Sequence, residues 1–291
     1  MRTLSVLLVV AIMGMAATAG AYDGLYTRDG AMTHDAGAFG IEVGFGYVMA
    51  NASYDQDGEK QDWGDDDKYT MISIPVELYY SVMDNLELAV KPEFLMLKDE
   101  YETMEVREMV EMEGTGLGDT WFWAKYMFMP EPMVTARVGA KIATGDSEPD
   151  EGDLATGSGQ MDIDGALMLG MPAGPGMFDV SAGYRMRMED EDKFKPGDEI
   201  HFAAVYTYFL GEMMNLRIGA DGFFGSDPEF DGEPIEVMGE TWEGSNAVWI
   251  NPGFDYMMDN GMTIGLDVHY PLMGKNIHAL WGGGIYVGWG G

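Results

Sequence analysis

Apolar residues alternate with small or charged residues along most of the chain from residue 39 onward. In the first such run, glycine and acidic residues separate Phe39, Ile41, Val43 and Phe45. Because successive side chains of a β-strand point to opposite faces, this period of two predicts strands with one apolar face and one small or charged face. The pattern recurs, and it predicts about twelve strands of roughly ten residues, the length that a tilted strand needs to cross a bilayer.

The connections between the predicted strands alternate in length. Short turns at residues 81–85 and 129–132 alternate with long loops at residues 51–68, 98–113 and 144–160. Strict alternation places all the long loops at one end, as in outer-membrane barrels with short periplasmic turns. The predicted fold is therefore all-β, a transmembrane antiparallel up-and-down β-barrel with long acidic loops at one end and short turns at the other. The alternative is a soluble sandwich, which has no reason to sort its loops by length.

Three prolines and two tryptophans interrupt this regularity. Pro75, Pro92 and Pro252 lie inside predicted strands. Each requires a bulge or a break in pairing, because proline has no N–H to donate to the ladder. Trp121 and Trp123 fall on the face assigned to the interior, which leaves the register of their strand open.

The first twenty residues have the layout of a secretory signal peptide. Arg2 gives a positive start, residues 4–15 form an apolar run too short for a permanent membrane helix, and a small-residue cleavage site follows near Ala19 or Ala21. We therefore predict an exported protein in the outer membrane of a Gram-negative-type bacterium, with outer-membrane lipid as a partner. The predicted parts are a signal peptide (1–19), an N-terminal periplasmic segment (20–38) and the barrel (39–291).

The chain is strongly acidic. Its 291 residues include 50 Asp and Glu against 16 Lys and Arg, for a net charge of -34. This balance excludes nonspecific binding to nucleic acid, which needs clustered basic residues. The long loops carry most of the acidic excess. They would attract cations to the mouth of the barrel, bind divalent cations weakly, or simply keep the surface solvated, and the sequence leaves these interpretations open.

Charged residues within the predicted strands share the face opposite the apolar one. A charge on the lipid face costs about 2–4 kcal/mol near the midplane, so this sorting indicates that the charged face is wet or paired. These residues either fill the lumen with salt bridges or line a water-filled path, and we favour a narrow, partly filled pore. The candidate lumen-lining residues are Glu42, Glu77, Lys91, Glu93, Lys125, Arg137, Lys141, Asp162, Asp164, Asp179, Arg185, Arg187, His201, Arg217, Asp221, Asp255, Asp267 and His269.

Motifs in the middle of the chain resemble those of a known family. The motifs are Gly116-Leu117-Gly118-Asp119 with Ala124-Lys125-Tyr126, Lys141-Ile142-Ala143-Thr144-Gly145-Asp146 with Ala155-Thr156-Gly157-Ser158-Gly159, and Ala182-Gly183-Tyr184. With them, residues 114–185 resemble the family of outer-membrane proteins named for the meta-pathway of phenol degradation. The resemblance implies an outer-membrane channel or transporter, and it supplies no catalytic residues.

The sequence predicts no enzyme, no cofactor and no metal site. Residues 146–153 place oxygen ligands at alternate positions but lack the glycine and the distal glutamate of a calcium loop. The chain has no cysteine for thiolate chemistry. We predict a passive channel for small solutes with a charged lumen. The alternatives are a structural or adhesive surface barrel with a closed lumen and cation-binding loops, and an outer-membrane hydrolase that uses His201 or His269.

Overall fold

The computed structural model describes residues 29–102, 109–237 and 240–290, and the predicted signal peptide lies outside them. Among the described residues, no helix is long and apolar enough to cross a membrane. The main sheet contains fourteen strand segments, and two pairs of segments continue one another, so that twelve strands result. They are β1 Phe39–Ala50, β2 Lys68–Met83, β3 Leu86–Lys91 with Glu93–Glu102, β4 Met109–Leu117 with Thr120–Pro130, β5 Met133–Ile142, β6 Asp162–Ala173, β7 Gly176–Arg187, β8 Glu199–Phe209, β9 Met214–Gly225, β10 Asn246–Met257, β11 Met262–Lys275 and β12 Trp281–Gly290.

The sheet closes on itself. Each strand is antiparallel to the next in sequence, and β1 pairs with both β2 and β12. Val43 on β1, for example, faces Val76 on β2 and Val287 on β12. Closure satisfies the backbone groups that an edge strand would leave open. The predicted twelve-stranded, up-and-down barrel is confirmed, with its short turns at one end and its long loops at the other.

The two faces of the barrel differ in exposure. Val138 on β5 and Leu167 on β6 are 60% and 64% exposed, although both are apolar. Their neighbour Arg137 is only 3% exposed. Exposed apolar residues on the outside and buried charges on the inside suit a barrel whose outer surface meets lipid.

The hairpin of β3 and β4 is longer than the sequence predicted. The segment 98–113 was expected to be a loop, but β3 continues to Glu102 and β4 begins at Met109. Lys98 stands opposite Glu113 in the ladder, and its Nζ lies 3.0 Å from a carboxylate oxygen of Glu111. Charged cross-strand pairs on the outer face therefore continue the hairpin beyond the apolar band.

The prolines interrupt the ladders, as predicted. Pro92 separates the two segments of β3. The β1–β2 ladder has a gap opposite Pro75, and the β10–β11 ladder has a gap at Pro252. In each case the proline, which has no N–H, lies where its strand is not paired with one of the two neighbouring strands.

An apolar cluster fills part of the interior near the long loops. Leu154, from the loop between β5 and β6, packs into it. The loop comes close to β4 at Gly114, where an added Cβ would lie 2.2 Å from the carbonyl oxygen of Leu154. The cluster consists of Val48, Ala50, Tyr69, Met71, Leu95, Leu97, Met112, Leu154 and Leu280.

Candidate functional site

The predicted lumen-lining residues are all buried or half-buried. Five are half-buried, namely Glu42, Glu77, Glu93, Asp179 and Asp267. The buried ones are Lys91, Lys125, Arg137, Lys141, Asp162, Asp164, Arg185, Arg187, His201, Arg217, Asp221, Asp255 and His269.

Asp164 on β6 is the centre of the largest charge network. Its carboxylate accepts hydrogen bonds from Arg137 Nη2 at 3.2 Å and from His201 Nε2 at 2.7 Å. Arg185 Nε lies 3.8 Å from the same carboxylate, and Arg185 Nη1 lies 3.4 Å from a carboxylate oxygen of Glu199. Strands β5 to β8 are neighbours in the sheet, which brings residues up to 62 positions apart into one buried cluster.

Two tryptophans on β4 extend this network. The rings of Trp121 and Trp123 stack with their centroids 5.1 Å apart. The guanidinium of Arg185 lies 4.6 Å from the ring of Trp121, and that of Arg137 lies 5.1 Å from the ring of Trp123. Both tryptophans therefore lie on the inner face, where the aromatic faces attract the buried cations.

A glycine of the third motif makes room for the histidine of the network. A Cβ added at Gly183 on β7 would lie 2.3 Å from His201 Cε1 on β8. No side chain fits at this position without moving the imidazole. This contact explains the glycine in the motif Ala182-Gly183-Tyr184, because Gly183 leaves space on the inner face for the imidazole of the next strand.

A second network lies in the wall formed by β9 to β12, nearer the short turns. Arg217 on β9 donates two hydrogen bonds of 2.9 Å to Asp255 and forms an ion pair of 2.8 Å with Asp267. The hydroxyl of Tyr286 on β12 is hydrogen bonded to both Arg217 and Asp255. Tethering one guanidinium to several partners fixes its position in the wall.

A smaller polar group on the same wall contains His269. Asn251 on β10 is hydrogen bonded to Asp221 on β9 and to His269 on β11. The imidazole of His269 stacks on Trp249, with ring centroids 5.2 Å apart. The two inner histidines, His201 and His269, therefore belong to separate groups.

The first two motifs of the family resemblance meet at the mouth of the barrel. Asp119, just before the second segment of β4, accepts hydrogen bonds from the backbone N–H groups of Gly145 and Ser158 at 3.2 and 3.0 Å. Lys141 Nζ donates to Ser158 Oγ at 2.6 Å and pairs with Asp162 at 2.9 Å. These contacts hold the β5–β6 loop against the barrel. Asp119 belongs to the first motif and Ser158 to the second, and the motifs alone predict no contact between them.

Acidic groups outnumber basic groups on the inner face. Glu42 on β1 stands directly opposite Glu77 on β2 in the ladder, and both are half-buried. Among the candidate residues of β9 to β11, Arg217 is the one Lys or Arg beside three carboxylates, those of Asp221, Asp255 and Asp267. Within the described part of the chain, no group of three or more His, Asp or Glu has the geometry of a metal site.

A closed barrel with an apolar outer face and a charged inner face is an outer-membrane β-barrel by fold, which agrees with the predicted location. Among solved structures, the COG4313 outer membrane channel from Pseudomonas putida F1 is similar, with a TM-score of 0.69 and 15% identity over 89% of this chain and 97% of that chain. The translocator domain of the autotransporter NalP from Neisseria meningitidis aligns with a TM-score of 0.46 and 11% identity over 98% and 97% of the two chains.

These similarities concern the fold. No family model matches the chain, and the search of curated proteins gives no match. The outer-membrane barrel that the family resemblance implied is confirmed by the architecture and by the P. putida structure.

Proposed function

We propose that the protein is a passive outer-membrane channel for small solutes, with a preference for cations, and that it is not an enzyme. The observation that carries this proposal is the surplus of acidic groups on the inner face of a closed barrel. A similar fold belongs to a protein described as an outer membrane channel. The proposed route runs along the inner wall, past the candidate lumen-lining residues.

The charge distribution supports the preference for cations. Rings or walls of carboxylates favour cations in pores, because they replace part of the attraction that the ion loses with its hydration shell. Glu42 and Glu77 place two carboxylates side by side on the inner face of β1 and β2. The acidic outer loops add a negative field at the mouth, which acts over about 8 Å at physiological salt.

The packing of the interior supports a narrow route. The Asp164 network and the apolar cluster near the loops fill part of the cross-section. Twelve strands give a barrel between the filled eight-stranded and the open sixteen-stranded kinds. Small solutes are therefore the proposed cargo.

One observation favours the second candidate function, a structural or adhesive barrel with a closed lumen. Many inner charges are paired with one another, as a filled lumen requires. In this case the acidic loops would act outside the barrel by weak binding of divalent cations. An outer cavity of about 420 Å³ is lined by Glu113, Asp146, Glu148, Asp150 and Asp153, among other residues.

A flux assay separates the two functions. Vesicles containing the purified, folded protein are compared with empty vesicles for the uptake of lysine and glutamate, which have similar sizes and opposite net charges. We expect uptake above that of empty vesicles and faster entry of lysine. The double variant Glu42→Gln with Glu77→Gln should reduce the preference for lysine, whereas Asp259→Asn, on an exposed turn, should not. Uptake equal to that of empty vesicles would reject the channel, and calcium binding by the same protein would then support the closed barrel.

A further inference from the structure

Methionines are concentrated at the short-turn end of the barrel. Each of the five short turns lies within three residues of at least one methionine, whereas the long loops of residues 51–67 and 143–160 contain none. Methionine is therefore sorted along the barrel axis. The methionines at the short turns are Met83, Met129, Met133, Met171, Met177, Met213, Met214, Met257, Met258 and Met262.

Two neighbouring turns bring half of these methionines together. Strands β9 and β10 are paired, so the β8–β9 turn lies beside the β10–β11 turn. The backbone N–H of Met257 donates to the carbonyl oxygen of Met213 at 2.7 Å, and Met214 stands opposite Tyr256 in the ladder. The Tyr256 hydroxyl donates to Met213 Sδ at 4.0 Å, which places this thioether beside β10. The methionine patch formed in this way consists of Met213, Met214, Met257, Met258 and Met262.

The backbone of the methionine patch is fixed, while its side chains are accessible. The N–H of Met258 donates to the carbonyl oxygen of Met262 at 2.7 Å, and the N–H of Met262 donates to Asn260 Oδ1 at 3.1 Å. Met214 is 39% exposed, and the other four methionines are half-buried. Because a methionine side chain has three rotatable bonds, sulfur atoms on neighbouring turns can converge on one ligand.

Lipid contact or core packing does not account for methionine at these positions. The apolar clusters of the described residues, around Leu154 and around Trp249, include no member of the patch. On the outer face of the same strands, Leu216 and Leu266 are 45% and 48% exposed, so leucine serves where lipid is the neighbour. The change from leucine to methionine at the strand ends adds sulfur rather than apolar surface.

The chemistry of the patch selects a soft cation. Thioether sulfur is a soft ligand that suits Cu(I), whereas calcium and magnesium require oxygen ligands. Glu212 and Asp259 are exposed on the same two turns, and neither turn contains a lysine or an arginine. The local charge therefore attracts a cation. The chain has no cysteine that would compete as a softer ligand.

We propose that the methionine patch is a binding site for a soft monovalent metal ion, Cu(I), which is held by thioether sulfurs from the two turns. The site is independent of the proposed channel function. Along the sequence its members are two separate pairs and a single methionine, and only the pairing of β9 with β10 brings them together. This separation is the reason why the sequence predicted no metal site.

Nuclear magnetic resonance of the methionine methyl groups tests the site directly. The folded protein in detergent micelles carries ¹³C in these methyl groups and is titrated with silver nitrate in a chloride-free buffer. Ag(I) is a soft monovalent cation that does not change its oxidation state in air. We expect the signals of the patch to shift together and to saturate. The signals of Met161, Met186 and Met273, which are exposed near the long loops, should stay in place.

A competition assay with Cu(I) provides a second measurement. The protein is mixed without oxygen with Cu(I) bound to the coloured chelator bathocuproine disulfonate, and the loss of colour reports transfer of the metal. The five methionines of the patch are replaced by leucine, which conserves volume and apolar character, so the barrel should still fold. The matched control carries Met161→Leu, Met186→Leu and Met273→Leu. The wild type and the control should withdraw Cu(I) from the chelator, and the patch variant should lose this ability.

The outcomes decide between a metal site and an apolar surface. Equal shifts of all assigned methionine signals, or the absence of any shift with Ag(I), would refute the site. Withdrawal of Cu(I) by the patch variant to the same extent as by the wild type would also refute it. Zinc or calcium ions that shift the same signals would contradict the choice of a soft ion. If the patch variant does not fold, the titration of the wild type decides alone.

Discussion

Replacement of Asp164 by asparagine tests whether the buried charge network stabilises the barrel. Asp164 is 1% exposed and carries the only carboxylate that contacts Arg137, His201 and Arg185 together in the described residues. Removal of one partner from a buried ion pair costs about 3–5 kcal/mol, since the other charge stays buried without compensation. Two contacts that remain in the variant place the expected loss of stability at the low end of this range. Arg137 retains Asp29, and Arg185 retains Glu199.

We therefore expect Asp164→Asn to lower the free energy of unfolding by about 3 kcal/mol. The measurement is equilibrium unfolding by urea in lipid vesicles, followed by the fluorescence of the seven tryptophans. The matched control is Asp150→Asn in an exposed loop, for which the change should stay within about 0.5 kcal/mol. If Asp164→Asn also stayed within that limit, the idea that the network holds the inner wall together would be refuted.

Three further predictions concern the outer face, the glycine of the third motif and Asp29, which precedes β1 and forms ion pairs with Lys125 and Arg137. Leu167→Arg should destabilise the protein in vesicles by about 2–4 kcal/mol, because Leu167 faces lipid; no loss in urea unfolding would show that it faces water. Gly183→Ala should cost about 1–3 kcal/mol by displacing the imidazole, and the same change should cost less in a chain that already carries His201→Ala; additive losses would contradict the steric explanation. Burial raises the pKa of Asp29, but Lys125 and Arg137 outweigh burial and hold that pKa below its ordinary value of 3.8. Because a lowered carboxyl pKa stabilises the folded protein above 3.8 and loses this effect as pH falls through the lowered value, the stability lost in Asp29→Asn should be the same at pH 7 and at pH 5. A difference in urea unfolding between the wild type and Asp29→Asn that disappears at pH 5 would contradict the assignment.

The strands and their faces could be predicted from the sequence because they depend on local alternation. Lipid outside a barrel requires an apolar side chain at every second position, which is visible in a run such as residues 134–142. The hairpin of β3 and β4 is the exception. Beyond the apolar band its outer face carries charged residues such as Lys98 and Glu113 instead of apolar ones, so this part of the hairpin resembles a loop in the sequence.

The pairing of the inner charges could not be predicted in the same way. Alternation indicates that Arg137 and Asp164 point inward, but their contact depends on the register between β5 and β6, which no single strand encodes. Asp29 carried no signal at all. It lies before the strands, and its partner Arg137 is 108 positions away in the chain. By contrast, Asp119 and Ser158 lay within recognisable motifs, and a comparison of those motifs could have suggested that they meet.

The central claim is that solutes pass along an inner wall with an acidic surplus, and the most direct test is the zero-current potential of the protein in a planar bilayer separating unequal KCl solutions. We predict a potential of the sign set by potassium, which moves toward zero in the double variant Glu42→Gln with Glu77→Gln. A potential of the sign set by chloride, or the absence of any current through the folded protein, would contradict the account.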